Sequence, residues 1–491
     1  MSYILKNNIR VVTAASLFDG HDATINIIRR ILQDQGAEVI HLGHNRSVKD
    51  IVEAALQEGA QGICVSSYQG GHMEFFKYMR DMLNELGAPY VKIFGGGGGV
   101  IVHEEKSELE KYGIEKIFHP DDGRKMGLEG MIELIIKGCD FDILEKASNL
   151  KLAASSSRIP QREIGLSLTA IEQGKSFSFK EFKAQKKTAM VLGITGTGGA
   201  GKSSLIDELL QRFLNAWPEI NIAVLCVDPS KKKTGGALLG DLIRMNSLSR
   251  EGVFMRSLAS RGSGSEISTA IPEMLKLLKT LNFDLVIVET SGIGQSSMKV
   301  TEVSDKSLYV MTAEFGAPSQ LEKIDMIDFA DFVAINKADH RGSKDALRDV
   351  KKQYGRSRKV FNQSEVENLP VFLTQASQFN DVGINQLFFS LTEKLEFRLT
   401  PEYKNNLRSF EQKPIVPTDR QNYLAEIVTS VRDYKTKTKE QAQVASLVGA
   451  LEKTKTVVND KSVSAEYEKQ KKKLSSDSQL LIESWDPQRE R

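Results

Sequence analysis

A glycine-rich run at residues 196–203 (Gly-Thr-Gly-Gly-Ala-Gly-Lys-Ser) has the residue types and spacing of a phosphate-binding loop. It follows a strand-length apolar run and opens an amphipathic one, the strand-to-helix context that this motif needs. The expected backbone donors to phosphate are Gly198, Gly199, Ala200 and Gly201. The Lys202 side chain would place a positive charge at the β and γ oxygens, and the Ser203 hydroxyl can ligate Mg²⁺.

A second motif, Asn336-Lys337-Ala-Asp339, follows the apolar run 332–335. The Asp339 carboxylate can accept hydrogen bonds from the N1–H and the exocyclic amine of guanine, donors that adenine does not present in that arrangement. ATP would leave these acceptors unsatisfied, which is a physical source of base selectivity. After the run 371–373, Ala376 can supply a backbone N–H to the guanine oxygen. The two motifs together predict a protein that binds and hydrolyses GTP.

Two acidic residues directly follow apolar runs of strand length and are expected at the edge of the sheet that carries the phosphate-binding loop. Asp228 follows the run 222–227, and Glu289 follows 285–288. Carboxylate oxygens there suit Mg²⁺, although a lone acid can also cap a helix or face solvent. The segment 234–244 between them predicts a mobile loop leading into a helix, from which Asp241 and Arg244 could reach metal and phosphate.

The elements that must position these residues are two sets of parallel strands. Five short runs alternate with amphipathic stretches in the first part of the chain: 10–14, 38–42, 62–66, 90–94 and 115–118. This alternation predicts a doubly wound parallel sheet. Ligands in such sheets bind beyond the carboxyl ends of the strands, so the loops 16–24, 66–71 and 95–99 are expected to share one site. A second α/β domain begins at residue 189.

The loops of the first sheet carry a recognisable pattern. Asp19-Gly-His21-Asp22, Ser66-Ser-Tyr68 and the glycines Gly96 and Gly97 resemble the D-x-H-x-x-G, S-x-L and G-G signature of base-off/His-on cobalamin-binding domains. Without that pattern, a single histidine in a loop is typical of a surface or capping residue.

The resemblance implies that His21 is the lower axial ligand of cobalt. Asp19 would accept the other ring N–H, which fixes the imidazole tautomer and raises its basicity. The small residues Ser66, Gly96 and Gly97 would leave a narrow slot for the displaced nucleotide tail, with the Ser66 hydroxyl available to it. The chain departs from the signature at two positions: Thr24 stands where the signature has Gly, and Tyr68 where it has Leu.

The second domain also carries a family pattern. Asp228-Pro-Ser-Lys, the run 240–245 and Glu289-Thr-Ser-Gly-Ile-Gly-Gln295-Ser resemble the G-protein chaperones of adenosylcobalamin-dependent acyl-CoA mutases. Ordinary GTPases have D-x-x-G where this chain has Glu289, and the resembled family shares the glutamate. The resemblance implies a switch at 292–295, phosphate contact from Arg244, and slow hydrolysis that a partner accelerates. The expected Mg²⁺ ligands are Ser203, Asp228, Asp241, Glu289 and Thr290, and the expected catalytic residues are Lys202, Glu289 and Gln295.

The fold class is therefore α/β, with two doubly wound domains and a helical C-terminal part. We expect a flavodoxin-like cobalamin-binding domain at 1–140, a linker at 141–187, a P-loop GTPase domain at 188–400 and a helical linker or docking segment at 401–491.

This domain order resembles the fused isobutyryl-CoA mutases over essentially the whole chain. In that family a (β/α)₈ barrel follows, which binds the acyl-CoA, and the chain has no barrel pattern after residue 401. The resemblance implies adenosylcobalamin, GTP and Mg²⁺ as cofactors, a barrel domain or subunit as partner, and a homodimer when complete. It implies interconversion of isobutyryl-CoA and n-butyryl-CoA by a radical route, with GTP gating cofactor loading or protection. Two alternatives are a GTPase chaperone that delivers cobalamin to a separate mutase, and a corrinoid methyl-transfer or sensing module.

The composition of the chain limits its expected partners and cellular location. The net charge of +2 indicates no particular partner, and we expect neither nucleic acid nor a membrane to be one. The apolar runs are strand-length, no targeting pattern opens the chain, and the three cysteines (Cys64, Cys139 and Cys226) are far apart. These features are typical of a cytoplasmic protein.

Overall fold

The structure is a computed structural model. It describes residues 3–147, 161–175, 188–231, 234–239, 245–261, 268–291, 298–316, 318–322, 324–408 and 423–489. The chain divides into two compact units, Met1–Arg408 and Ser409–Arg491.

The first unit contains two parallel sheets. The first has the strand order β5-β4-β3-β1-β2-β8. Its strands are β1 (Arg10–Ser16), β2 (Glu38–Arg46), β3 (Gly62–Ser66), β4 (Lys92–Gly96), β5 (Lys116–Phe118) and β8 (Ala237–Leu239). The first five confirm the predicted flavodoxin-like arrangement, in which the order reverses between β1 and β3 and opens a crevice there.

Helices cover both faces of this sheet. They are α1 (Ala23–Asp34), α2 (Val48–Gln57), α3 (His72–Glu85), α4 (His103–Tyr112), α5 (Pro120–Cys139) and the short α6 (Ile143–Lys146). Each longer helix begins shortly after a strand ends, so the strand-to-helix loops gather at one edge of the sheet. In α2, a Ser47–Asp50 capping box satisfies backbone groups at the helix start.

The sixth strand of this sheet comes from a distant part of the chain. β8 pairs in parallel with β2 in the register Glu38↔Ala237, Val39↔Leu238 and Ile40↔Leu239. The sequence predicted a mobile loop leading into a helix for 234–244, and in its described part this was wrong, because residues 237–239 form an edge strand. Residues 240–244 lie outside the described part of the chain.

The second sheet has the order β13-β12-β11-β6-β10-β7-β9. Its strands are β6 (Met190–Gly196), β7 (Ile222–Asp228), β9 (Val253–Ala259), β10 (Leu285–Glu289), β11 (Lys306–Thr312), β12 (Phe332–Asn336) and β13 (Val371–Leu373). Its helices are α8 (Lys202–Ala216), α9 (Ile271–Thr280), α10 (Lys299–Val303), α11 (Pro318–Leu321), α12 (Met326–Phe329), α13 (Ser343–Ser357), α14 (Gln363–Glu367), α15 (Val382–Lys394) and α16 (Pro401–Arg408). The central strands are mostly apolar and buried, as expected for parallel strands covered on both faces.

A helix and an ion cluster lie between the two sheets. Helix α7 (Gln161–Glu172) buries Ile164 and Leu168. Its last residue, Glu172, contacts Arg10 of β1 at 2.8 Å and Arg256 of β9 at 2.5 Å. The cluster of buried charges consists of Arg10, Glu38, Glu58, Glu172, Arg256 and the half-exposed Arg261.

The second unit is helical. Its helices are α17 (Tyr423–Val457), α18 (Lys461–Lys471) and α19 (Ser476–Arg489). Gln441 of α17 accepts a hydrogen bond from the Ser475 backbone at 2.8 Å, which joins it to the turn before α19. Among the described residues, no helix combines the length and apolarity needed to cross a membrane.

Candidate nucleotide and cobalamin sites

The loop between β6 and α8 forms a small polar cavity of about 150 Å³. Gly199 and Gly201 have φ values of 73° and 86°, a region that glycine enters without strain. Lys202 Nζ is buried against the loop and donates to the Gly196 and Thr197 carbonyls at 3.3 and 3.4 Å. The buried Thr197 hydroxyl has no hydrogen-bond partner within the described structure. These features fit a polyanionic guest that would attract the lysine and the loop N–H groups.

The predicted acids lie beside this loop. Ser203 Oγ donates to Glu289 Oε1 at 3.1 Å, which joins the start of α8 to the end of β10. Asp228 at the end of β7 lines the same cavity. Thr290 lines it too, but its buried hydroxyl donates to Thr195 at 2.7 Å. Hydroxyl and carboxylate oxygens of this kind are what Mg²⁺ prefers.

Three predicted residues cannot be placed. Asp241, Arg244 and Gln295 lie outside the described residues, as does the proposed switch at 292–295.

Asn336 connects the guanine-side residues to the phosphate loop. Its Nδ2 donates to the Ala200 carbonyl at 2.8 Å, and its Oδ1 accepts from the Ala376 N–H at 3.1 Å. Lys337 follows with a left-handed φ of 59°, and Asp339 is exposed. The Ala376 N–H therefore already donates to Asn336, so a guanine oxygen would have to share this donor or displace Asn336 Oδ1 from it.

In the first sheet, Asp19 holds the loop that carries His21. Asp19 Oδ1 accepts from the His21 backbone N–H and faces its ring Nδ1, both at 2.9 Å. Asp19 Oδ2 accepts from the Tyr68 N–H at 2.6 Å. Burial raises the pKa of Asp19, but the hydrogen bonds from Tyr68 and His21 outweigh it and leave the pKa below its ordinary value. The His21 side chain is 78% exposed, so Nε2 is the ring nitrogen left for a ligand above the sheet.

The loops after β1, β3 and β4 line one crevice, as the topology predicts. Its cavity of about 160 Å³ is bounded by Ser66, Gly96 and Gly97, and by His119 at the start of α5. The Ser66 hydroxyl is buried without a hydrogen-bond partner in the described structure. A Cβ at Gly97 would collide with the Ser67 carbonyl, so only glycine fits there. This narrow, mostly apolar slot with one orphaned hydroxyl suits a planar group with a polar edge.

The two departures from the cobalamin signature contact each other. Thr24 Oγ1 lies 3.1 Å from Tyr68 Oη, and both residues line the cavity. The Tyr68 and His21 rings are 5.4 Å apart. The two side chains that differ from the signature therefore contact each other across the crevice, Thr24 from α1 and Tyr68 from the loop after β3.

Sequence reasoning missed one pair of residues beside His21. Asn45, at the end of β2, accepts a hydrogen bond from the Phe18 N–H at 2.8 Å. Both residues have left-handed φ values, 57° and 62°, which are strained for a phenylalanine. A left-handed asparagine is common enough that nothing in the sequence pattern singles it out.

The fold and the two crevices define the class: a cobalamin-binding-type α/β domain joined to a P-loop GTPase domain. Models of known families match the same regions, the B12 binding domain at residues 9–122 and the methylmalonyl Co-A mutase-associated GTPase MeaB at residues 172–429. Because the second match covers more than half of the 491 residues, the chain belongs to the MeaB GTPase family.

Curated relatives share the order of the domains. The chain is 50% identical to the fused isobutyryl-CoA mutase of Geobacillus kaustophilus (strain HTA426), an alignment that covers 99% of this chain and 46% of the relative. It is 53% identical to the fused isobutyryl-CoA mutase of Cupriavidus metallidurans, over 89% of this chain and 41% of the relative. It is 38% identical to the GTPase ArgK of Escherichia coli over 30% of this chain and 44% of that protein. The chain spans less than half the length of the two mutases.

Proposed function

We propose that this chain is the cobalamin-binding and GTPase portion of an adenosylcobalamin-dependent acyl-CoA mutase that interconverts isobutyryl-CoA and n-butyryl-CoA. The observation that carries the proposal is the Asp19–His21 pair at the mouth of a glycine-lined crevice, in a chain that belongs to a mutase-associated GTPase family. We retain the boundaries 1–140, 141–187, 188–400 and 401–491 for its parts, and a cytoplasmic location suits its free, buried cysteines.

On the nucleotide side, the loop N–H groups and Lys202 hold the phosphates. Ser203, Asp228, Asp241, Glu289 and Thr290 are the proposed Mg²⁺ ligands. Mg²⁺ supplies charge neutralisation to the phosphates when bound. Arg244 contacts phosphate. The proposed catalytic residues are Lys202, Glu289 and Gln295, and the residues proposed to surround guanine are Asn336, Lys337, Asp339 and Ala376.

On the cobalamin side, His21 Nε2 is the proposed ligand of cobalt. Asp19 keeps the proton on Nδ1 and so directs the lone pair of Nε2 outward. Gly96 and Gly97 admit the nucleotide tail, and the Ser66 hydroxyl gains the partner it lacks. When bound, adenosylcobalamin supplies the radical that starts the rearrangement of the carbon skeleton.

The β8 strand supports coupling between the two sites. It lies between Asp228 and Asp241 in the sequence, yet it pairs with β2 of the cobalamin-side sheet. Further contacts fasten the same segment: Lys231 pairs with Asp34, and Thr234 Oγ1 donates to the Gln33 carbonyl at 3.3 Å. A nucleotide-dependent movement of Asp228 and Asp241 would therefore displace β8 and, through their pairing, β2. In this way GTP would gate cofactor loading or protection.

The proposed partner is a (β/α)₈ barrel domain or subunit that binds the acyl-CoA, and the complete assembly would be a homodimer. This partner is proposed because the chain matches less than half the length of the fused mutases. A stand-alone chaperone that delivers cobalamin to a separate mutase would need no such subunit.

A reconstitution assay tests the proposal. The chain is mixed with a barrel polypeptide, adenosylcobalamin, MgGTP and isobutyryl-CoA, and n-butyryl-CoA is measured. We expect product only when both polypeptides are present, with loss in His21→Ala and no loss in His44→Ala, an exposed histidine at the end of β2. No product with the barrel, together with transfer of cobalamin to a complete mutase, would contradict the mutase proposal and favour the chaperone.

A further inference from the structure

Two histidines and an aspartate converge beside the cobalamin crevice. His103 begins α4, His119 precedes α5, and Asp121 lies in the first turn of α5. His103 Nε2 lies 3.3 Å from Asp121 Oδ2, and His119 Nδ1 lies 3.1 Å from the same oxygen. One ligating atom from each residue lies within 4.8 Å of the other two. His119 also bounds the cobalamin crevice, but His103 and Asp121 line neither that crevice nor the nucleotide cavity.

The distances suit a shared cation. A tetrahedral ion whose ligands lie at about 2.0–2.1 Å holds those ligand atoms about 3.3 Å apart. The two measured separations, 3.3 and 3.1 Å, are close to that edge length. Two of the three separations between ligand atoms therefore already suit a common ion.

The hydrogen bonds around the cluster also favour a cation. His119 Nδ1 accepts the Asp121 backbone N–H at 3.3 Å, so this nitrogen carries a lone pair rather than a proton. An imidazole nitrogen has one such lone pair, so a cation at Nδ1 would replace this long hydrogen bond and would also bind the carboxylate oxygen 3.1 Å away. Arg124 donates to the other oxygen, Oδ1, at 3.2 Å and orients the carboxylate so that Oδ2 faces the histidines.

We propose that His103, His119 and Asp121 bind a divalent cation of the zinc class, with a fourth coordination position open to water. Two imidazole nitrogens and one carboxylate oxygen select Zn²⁺, Ni²⁺ or Co²⁺ over Mg²⁺ and Ca²⁺, which prefer oxygen-only sites. The His103 side chain is 64% exposed, so an ion can enter from solvent. The bound ion would join the start of α4 to the start of α5, where His119 lines the cobalamin crevice.

Zinc titration of the full chain, free of nucleotide and cobalamin and in competition with a chromophoric chelator, tests the proposal. We expect one Zn²⁺ site that excess Mg²⁺ does not displace. His103→Ala and Asp121→Asn should each weaken it by more than about tenfold, the loss that even an outer partner of a metal ligand brings. His103 is exposed and caps nothing, so its removal should leave the fold intact, which circular dichroism checks.

Matched controls are His44→Ala, an exposed histidine outside the cluster, and His21→Ala, which removes an exposed histidine that is paired with a buried aspartate, Asp19. Both should retain the site. Equal zinc affinity in the wild type and His103→Ala, or an equal loss in His44→Ala, would overturn the proposal. Because neither cobalamin nor GTP is present, the result does not depend on the proposed function.

Discussion

At the scale of single residues, Lys202 carries the phosphate-binding role. Within the part of the chain that the structure describes, its ammonium group donates to two loop carbonyls, so a phosphate would replace neutral partners with a full opposite charge. We expect Lys202→Ala to lower the rate of GTP hydrolysis about 100-fold or more, which is the usual cost of removing one donor from a transition state. Phosphate release measures the rate, and Lys344→Ala, an exposed lysine of α13, is the control.

Cobalamin binding should survive that substitution, because Lys202 belongs to the other sheet. Hydrolysis at the wild-type rate in Lys202→Ala would exclude the phosphate-loop assignment. Loss of both hydrolysis and cobalamin binding would indicate general misfolding instead.

Two contacts between residues near His21 could not be predicted from sequence motifs. The spacing of Asp19 and His21 placed them in one loop, but nothing in the sequence indicated that Thr24 and Tyr68 contact each other across the crevice. Likewise Phe18 and Asn45 are far apart in sequence, and their hydrogen bond depends on the register of β1 against β2. Such pairs follow from tertiary geometry, which a local motif does not contain.

At the scale of elements, β8 is the proposed link between the two sheets. Gly236 precedes it, and a Cβ there would collide with the Gln33 carbonyl at the end of α1. We expect Gly236→Ala to displace β8 and to abolish the effect of GTP on adenosylcobalamin affinity, while GTP and cobalamin each still bind. Affinities from absorbance titrations with and without a GTP analogue measure the effect.

The control for this prediction is Thr234→Ser, a neighbouring exposed position that keeps its hydroxyl. A full nucleotide effect in Gly236→Ala would show that the coupling runs through other contacts.

The β1–β2 pair carries a buried histidine that should make stability depend on pH. Burial, with a contribution from nearby Arg29, lowers the pKa of His41 to about 4 from its ordinary 6.5. The unfolded chain therefore takes up the proton first, so stability is complete above pH 6.5 and falls as the pH drops towards 4. Between pH 7 and pH 5 the loss from this group should be about 2 kcal/mol.

Urea unfolding at the two pH values checks this prediction. His41→Gln keeps a polar partner for Thr13, which lies 2.9 Å from His41 Nδ1, but it does not titrate. Its stability should fall by about 2 kcal/mol less than that of the wild type over the same range. Equal losses in the two proteins would mean that His41 protonates freely in the folded state.

The parallel sheets were the elements that the sequence predicted best. Apolar runs of strand length, separated by amphipathic helices, specify a doubly wound sheet almost by themselves, and the five predicted strands of the first sheet are present. β8 escaped prediction because three residues, Ala-Leu-Leu, carry no strand signal of their own. It forms a strand because it pairs with β2 at the edge of the first sheet, and that pairing depends on tertiary structure.

At the scale of the whole molecule, the buried ion cluster joins the two sheets. Arg10 and Arg261 flank Glu38, and although burial raises the pKa of Glu38, the two arginines outweigh it and lower the pKa to about 2. Arg256 contacts Glu172 and donates to the Gln57 carbonyl at 3.2 Å, so it links the second sheet to α7 and α2. Arg10, Glu38, Glu172 and Arg256 lie in four different elements, whereas Glu58 follows α2 and Arg261 follows β9.

Removing one charge from this cluster should be costly. Arg256→Met leaves the three buried glutamates of the cluster with only Arg10 and Arg261, one cation too few, and we expect a loss of about 3–5 kcal/mol in the free energy of unfolding. The control, Lys276→Met, breaks an exposed pair with Glu273 and should cost less than about 1 kcal/mol. Urea denaturation compares them, and similar losses in the two variants would contradict a structural role for the cluster.

The fold class of two α/β domains and a helical C-terminal region agrees with the sequence prediction, but the contacts between the two sheets did not follow from it. Arg10, Glu38 and Arg256 read as ordinary charged residues in or beside apolar strands. Only the folded chain shows that they neutralise one another between the two sheets.

Cobalamin binding through His21, coupled to the nucleotide site, is tested most directly by the visible absorption spectrum of the full chain titrated with adenosylcobalamin. We expect a base-off/His-on spectrum in the wild type and in His44→Ala, its loss in His21→Ala, and an affinity that changes when a GTP analogue is added. Binding that is absent, or that is unaffected by His21→Ala and by nucleotide, would contradict the account and leave a GTPase joined to an α/β domain of another role.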